Sequence, residues 1–143
     1  MKHTSIIKTL GLSIAACGLA VASAAELPIN PGLWETTTTG TNPMTGKNET
    51  KTETECVKER SISTAEFMQD EKSCKATKDE VSGNTLSFAI QCTVQGVATE
   101  MSGSITADDN SSTGNMNIAM TMGGQTRNMD MKWTAKRLGS CDE

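Results

Sequence analysis

The chain has 143 residues with one histidine and no tyrosine, and its 13 basic residues are outnumbered by 17 acidic ones, so the net charge is −4 at pH 7. This length predicts a single domain. The acidic balance, without a basic stripe, argues against nucleic acid and anionic lipid surfaces as partners.

Residues 1–25 have the three parts of a cleavable secretory signal peptide. Lys2 and Lys8 make a basic start, an uncharged apolar stretch follows, and small residues end the segment at Ala24 and Ala25. The apolar stretch is shorter than the ~20 residues that span a bilayer, so we expect no transmembrane helix. Cleavage after Ala24 or after Ala25 satisfies the signal pattern, and we favour Ala25, which leaves residues 26–143 as one mature domain.

A lipoprotein signal is the alternative interpretation of the same segment. Ile14-Ala15-Ala16-Cys17 resembles the site at which a cysteine becomes the lipidated first residue. The residues from 18 to 25 would then form an apolar mature N-terminus, where a polar tether is usual. Secretion as a free domain is therefore the preferred prediction.

Seven segments of the mature chain read as β-strands, separated by turn residues. They are rich in β-branched or alternating apolar residues, and they cover residues 32–39, 49–56, 74–81, 85–94, 97–107, 115–122 and 126–138. The spacing predicts a mainly β domain. We expect an antiparallel meander of about seven strands curved into a barrel-like or half-barrel sheet.

The segment 49–56 alternates strictly between threonine and charged residues. Glu49, Lys51, Glu53 and Glu55 fall on one face of the predicted strand, and the threonines fall on the other. We expect the charged face to be fully solvated.

One short helix is predicted near residues 63–71. Ser63 and Glu66 have the spacing of a capping box, and Ile62 and Phe67 have that of a hydrophobic staple. The helix is expected to pack Phe67 and Met68 inward.

Cysteine spacing predicts two disulfides. Four cysteines remain after the signal, and four allow three pairings. Cys74 and Cys92 flank a predicted hairpin, which brings them opposite each other and leaves Cys56 to pair with Cys141. No two cysteines are close enough in sequence for a redox or metal-thiolate motif.

Alternating methionines mark the inward faces of the last strands. The simpler interpretation is a core in which methionine replaces missing aromatics. The alternative is a copper site, since thioethers select Cu(I), with Met120 and Met122 facing Met129 and Met131 across one hairpin. Apolar neighbours on the same faces favour the core.

The order of motifs resembles the exported bacterial domain-of-unknown-function family 3617. The resemblance rests on Pro-Gly-Leu-Trp-Glu at 31–35, four cysteines, and Arg-Leu-Gly-Ser-Cys at 137–141. It implies a β-rich domain in the Gram-negative envelope, hence the periplasm, and no assigned activity. A weaker likeness links Gly32, Trp34 and Arg137 to lipocalin-type barrels, in which the tryptophan packs beneath the arginine.

The mature chain contains no histidine, because His3 leaves with the signal. Imidazole-based nucleophile systems and most catalytic zinc sites are thereby excluded, and we expect no enzyme and no cofactor. The favoured function is binding of a small apolar ligand or an envelope protein by a monomer. Trp34, Phe88, Met120 and Trp133 are the candidate ligand-binding residues, and the methionine copper site is the alternative function.

Overall fold

Extended strands make up most of the computed structural model, which describes residues 24–42, 44–68 and 72–142. The predicted signal segment up to residue 23, including Cys17, lies outside the described residues. The described strands are β1 (Glu26–Pro28), β2 (Gly32–Thr41), β3 (Asn48–Val57), β4 (Ser61–Ser63), β5 (Cys74–Ser82), β6 (Thr85–Val94), β7 (Val97–Ala107), β8 (Ser111–Met122) and β9 (Gln125–Gly139).

Seven of these strands form one antiparallel sheet in the order β3-β2-β9-β8-β7-β6-β5. The predicted mainly β, seven-stranded antiparallel sheet is confirmed, but only β5 to β9 follow one another as a meander. The hairpin of β2 and β3 joins the sheet through β2, which pairs with β9 near the end of the chain. The short strands β1 and β4 were not predicted, and they pair with each other in a separate two-stranded sheet.

Of the two predicted forms, barrel-like or half-barrel, a closed barrel is wrong, because β3 and β5 are edges that do not pair with each other. Closure would join these two strands. The side chains of β3 from Asn48 to Glu55 are exposed on both faces. They are polar or charged, so closing the sheet would bury no apolar side chain of this segment. Strand β5 carries an irregularity between Ala76 and Lys78, and such bulges are a common means of blunting an edge.

The predicted helix is also wrong beyond its first turn. A single 3₁₀ turn spans Thr64–Phe67, and Met68 already has an extended backbone. The capping interaction is present, since the Glu66 carboxylate accepts a hydrogen bond from the Ser63 N–H at 3.1 Å. Phe67, the last residue of the turn, stacks on Phe88 of the sheet; residues 69–71 lie outside the described residues.

The two faces of the large sheet differ in chemistry, as alternation dictates. One face carries cross-strand pairs of hydroxyls and amides, such as Thr37 with Thr52 at 2.9 Å and Thr85 with Thr106 at 2.8 Å. We call the opposite face the apolar face. Its most buried side chains, all at most 2% exposed, are Leu86, Phe88, Ile90 and Ile105.

Three short segments, which we call the cover, lie against part of the apolar face: β1, β4 and the 3₁₀ turn. Leu27 of β1 is 1% exposed and belongs to the core cluster with Leu86 and Phe88. Ile62 of β4, directly opposite Leu27 in the small sheet, packs against the same cluster. The core therefore lies between the cover and strands β6 and β7.

Both disulfides have the predicted pairing. Cys74 and Cys92 are direct cross-strand partners in β5 and β6, and Cys56 at the end of β3 is bonded to Cys141 beyond β9. Disulfides persist in oxidising compartments, so these bridges indicate an environment outside the cytoplasm. Within the described residues, no helix has the length and apolar character needed to cross a bilayer.

Removing the two disulfides should destabilise the domain unequally. The Cys56–Cys141 bridge spans 85 residues and the Cys74–Cys92 bridge spans 18. In the chain-entropy model their loss lowers the free energy of unfolding by about 4–5 and about 3 kcal/mol, respectively. Urea unfolding of the Cys56→Ser/Cys141→Ser and Cys74→Ser/Cys92→Ser variants, followed by tryptophan fluorescence, measures both. Equal losses, or the reverse order, would contradict this entropic ranking.

Candidate functional site

The first and last strands of the large sheet meet at a close-packed corner. Trp34 lies opposite Arg137 in the β2–β9 register, and the Arg137 Nε donates a hydrogen bond to the Pro31 carbonyl at 2.8 Å. Gly32 has φ +150°, and a Cβ there would lie 2.3 Å from the Gly139 carbonyl oxygen. The proline, glycine, tryptophan and arginine of the terminal motifs are thus brought together, and Gly32 is required by close approach.

The lipocalin-like arrangement of tryptophan beneath arginine is found only in part. The two residues are cross-strand neighbours, but the arginine is engaged by a backbone carbonyl. Trp34 is 5% exposed, and its indole N–H donates to the Asn30 carbonyl at 2.9 Å. That bond satisfies the polar edge of the ring and leaves its apolar faces available for packing.

Trp34 and Trp133 line a small apolar cavity of 160 Å³ beside the cover. Strands β2, β8 and β9 form one wall. The other wall is formed by Ile62 of the cover and by Ile29, which directly follows β1. The remaining lining residues are Thr36, Val57, Ser112 and Ala135. The cavity is therefore an apolar gap between the two sheets, with a tryptophan on each of two neighbouring strands.

Trp133 owes its position to a glycine on the adjacent strand. Gly114 is its direct partner in β8, and a Cβ at Gly114 would lie 2.0 Å from the Trp133 ring. The indole consequently lies flat over a residue without a side chain, a packing device known from other sheets. This contact fixes one wall of the cavity.

Phe88 is not part of this site. Its side chain is 1% exposed and stacks on Phe67 of the cover, with ring centroids 4.9 Å apart and ring planes within 9° of parallel. The structure brings Trp34 and Trp133 together and places Phe88 in the core. Met120, the fourth candidate ligand-binding residue, lies on another part of the apolar face.

The apolar face continues past the cavity to four side chains that we call the uncovered row: Ile118, Met120, Met129 and Met131. All four are half-buried, and none belongs to the cluster packed under the cover. Met129, Met131 and Trp133 follow one another on the same face of β9. The uncovered row is therefore continuous with the cavity wall.

The register does not place the methionines of the predicted copper site directly opposite one another. Met120 lies opposite Arg127, Met122 opposite Gln125 and Met129 opposite Ile118. Met131 pairs with Met116, six residues along the ladder from Met122, a distance of about 20 Å at 3.4 Å per residue. The two methionine pairs do not face each other, and Met122 is 68% exposed at the hairpin.

Charged side chains border the uncovered row. The register pairs Thr36 with Glu53 and Thr38 with Lys51, which places the charged side of β3 on the apolar face of the sheet. These β3 residues are exposed, as predicted, but they form a polar rim beside an apolar surface. Arg127 on β9 extends this rim at the hairpin end of the uncovered row.

Sequence reasoning missed the part of the cavity contributed by the cover and its neighbours. Ile29 and Val57 lie at or beyond the end of a strand, and Ile62 lies in a strand of only three residues, so no alternation can be recognised around them. A weak signal was present, since Ile62 was identified as half of a hydrophobic staple. Its role as a cavity wall depends on the pairing of β4 with β1, and these two strands are separated in the chain by the whole β2–β3 hairpin.

Fold and site together define an open-faced antiparallel β domain with two disulfides, a partial cover and an apolar cavity at the edge of that cover. The chain belongs to the family described as Protein of unknown function (DUF3617), whose model matches residues 29–141. That match includes both terminal motifs and all four cysteines of the two bridges. No curated protein and no solved structure matches the chain.

Substituting Gly114 should perturb the cavity wall through Trp133. A Gly114→Ala change introduces a methyl group into the indole and should lower the free energy of unfolding by about 1–3 kcal/mol, as overpacking does. In a chain carrying Trp133→Leu the same change should have a much smaller effect, because the clash is gone. Urea unfolding of the four chains measures this coupling, and simple additivity would argue against the proposed contact.

Proposed function

We propose that this protein is an exported, non-catalytic binding protein of the periplasm that takes an apolar ligand on the uncovered row and in the adjoining cavity. One observation carries the proposal: the apolar face of the sheet is wider than its cover. Exposed contiguous apolar surface on a small domain marks an interaction site far more often than chance. The charged rim on β3 and Arg127 gives this surface a polar border, as binding sites usually have.

The size and composition of the site favour a flexible hydrocarbon chain as ligand. The cavity of 160 Å³ is smaller than the ~300–1,000 Å³ of sites that enclose a whole drug-sized molecule. It has room for one end of a chain, while the rest lies along the uncovered row. Methionine side chains are unbranched and adaptable, which suits a ligand without a fixed shape.

Export is supported by the sequence and by the disulfides. The basic start and short apolar stretch of residues 1–25 have the signal-peptide pattern, and two disulfides require an oxidising compartment. The family resemblance adds the Gram-negative envelope. A free periplasmic domain is preferred to a lipoprotein attached through Cys17.

The absence of histidine from residues 26–143 supports a non-catalytic role. Most hydrolytic nucleophile systems need an imidazole base. We do not advance the copper alternative, because the β8–β9 register argues against convergence of Met120, Met122, Met129 and Met131 on one ion.

Ligand binding is tested with a fluorescent fatty acid, cis-parinaric acid, titrated into the oxidised mature protein. Met120→Gln and Met131→Gln keep the length of the side chain but make it polar. Each should raise the Kd about tenfold, since replacing a buried thioether by an amide removes on the order of 1.4 kcal/mol of apolar contact. Met44→Gln is the matched control, because Met44 is 93% exposed in the β2–β3 turn and should leave the Kd unchanged.

Two results would contradict this function. The first is no saturable binding of the probe by the folded wild-type protein. The second is an equal effect of all three substitutions, which would mean that the probe binds without regard to the uncovered row. Native mass spectrometry of protein purified from the periplasm, without detergent, shows whether a lipid is already bound.

A further inference from the structure

A carboxylate lies beneath the point at which the chain enters the folded domain. The Asp79 side chain accepts a hydrogen bond from the Thr64 hydroxyl at 2.6 Å and another from the Ala25 backbone N–H at 3.2 Å. Thr64 is 2% exposed and Asp79 is half-buried. This carboxylate is therefore partly withdrawn from water and holds two separate elements of the cover.

A bulge in β5 is what directs Asp79 to this position. Ala76 lies opposite Ile90 on the apolar face, so regular alternation would put Lys78 there next. The irregularity between Ala76 and Lys78 shifts the register by one residue and brings Asp79 opposite Phe88. Bulges commonly re-aim a side chain, and here one turns an acidic residue toward the cover.

Among the described residues, which start at Ala24, packing against the core begins at Ala25. Ala24 is exposed, whereas Ala25 is half-buried and packs against the core cluster. Glu26 then starts β1, and Leu27 is fully buried. A cut before Ala25 leaves every packed residue of the described part in place, but a cut after Ala25 removes both a core contact and the donor to Asp79.

The sequence alone left two cleavage positions open and favoured Ala25. Ala22 and Ala24 form one small-x-small pair, and Ser23 and Ala25 form the other. The contacts of Ala25 distinguish these positions in a way that residue type does not. These contacts favour cleavage after Ala24, whereas the sequence alone favoured cleavage after Ala25.

We infer that the leader is removed between Ala24 and Ala25, and that the new α-ammonium group of Ala25 pairs with the Asp79 carboxylate. This inference rests on the export part of the proposed function. Hydrolysis adds water across the peptide bond, so Ala24 leaves with a carboxylate and Ala25 gains an amino group that is protonated at neutral pH. A neutral amide donor thereby becomes a cation directly beside an acceptor of opposite charge.

Cleavage consequently strengthens the cover. Before cleavage the bond joins a neutral donor to a charged acceptor, whereas after cleavage both partners are charged and the attraction between opposite charges is added. The pair joins the start of β1 to β5, while Thr64 links the same carboxylate to the 3₁₀ turn. The uncut precursor has only an uncharged donor to this carboxylate, so the mature protein is the more stable form of the same domain.

The N-terminus of the protein purified from the periplasm tests the cleavage position. Mass spectrometry of the intact chain and its N-terminal peptide should give Ala25 as the first residue. A first residue of Glu26, or any later residue, would overturn the inference while leaving export intact. A chain that still starts at Met1 would instead refute export by a cleaved signal, and a chain that starts at a lipidated Cys17 would show export by the lipoprotein route and overturn the inference.

The ion pair is tested by comparing chains that start at Ala25 with chains that retain Ser23 and Ala24, each with and without Asp79→Asn. A fusion cut by a protease that leaves a native N-terminus supplies all four. Asp79→Asn should lower the Tm by about 4 °C more in chains starting at Ala25, because only these lose a charge pair. The hydrogen bond from Thr64 to residue 79 is affected equally at both chain lengths, so its contribution cancels in this comparison. Equal decreases in Tm would overturn the proposed pairing.

Discussion

The structure depends on covering the apolar face of an open sheet with only a few short segments of the chain. A sheet with one polar and one apolar face is stable in water only if the apolar face is packed against something. Here that task falls to two strands of three residues and one 3₁₀ turn. Leu27 is the buried centre of this cover, and burial of a leucine contributes about 1.5–3 kcal/mol. The position of the cover decides which apolar residues become core and which remain accessible.

The ends of the chain reinforce this arrangement. Strand β2 pairs with β9, and the Arg137–Pro31 hydrogen bond joins residues 106 apart in sequence. The Cys56–Cys141 bridge closes the same corner covalently. In the chain, β1 directly precedes β2, and β4 with the 3₁₀ turn follows β3. Fixing the corner where β2 starts and β3 ends therefore also fixes the positions at which both parts of the cover join the large sheet. The terminal motifs of the family are therefore explained by packing.

Strands were largely predictable because alternation has a period that sequence displays directly. The bounds of β6 and β7 agree with those expected from the sequence, whereas β8 begins at Ser111, four residues early, because its first residues are polar and small. Alternation also separated the threonines of β3 from its charged residues. It could not tell which set shares a face with Trp34, since that depends on the pairing of β2 with β3.

The site was predictable in its aromatic members and not in its boundaries. Trp34 and Trp133 were identified by residue type, and the sheet brings both to one cavity. Phe88 was identified by the same argument, but the stack with Phe67 puts it in the core. Short strands such as β1 and β4 have too few residues for any period to be recognised. The extent of the cover, and with it the uncovered row, follows from tertiary packing alone.

The claim that the cover holds the domain together is tested most directly by the stability of Leu27→Ala. Trp34 and Trp133 both lie in the large sheet, so their fluorescence reports the unfolding of that sheet. Urea unfolding should remain one cooperative transition and lose about 2–5 kcal/mol, the range for truncating a buried leucine. A loss below about 0.5 kcal/mol, with the sheet unfolding as in the wild type, would show that the large sheet is stable without its cover and would contradict this account.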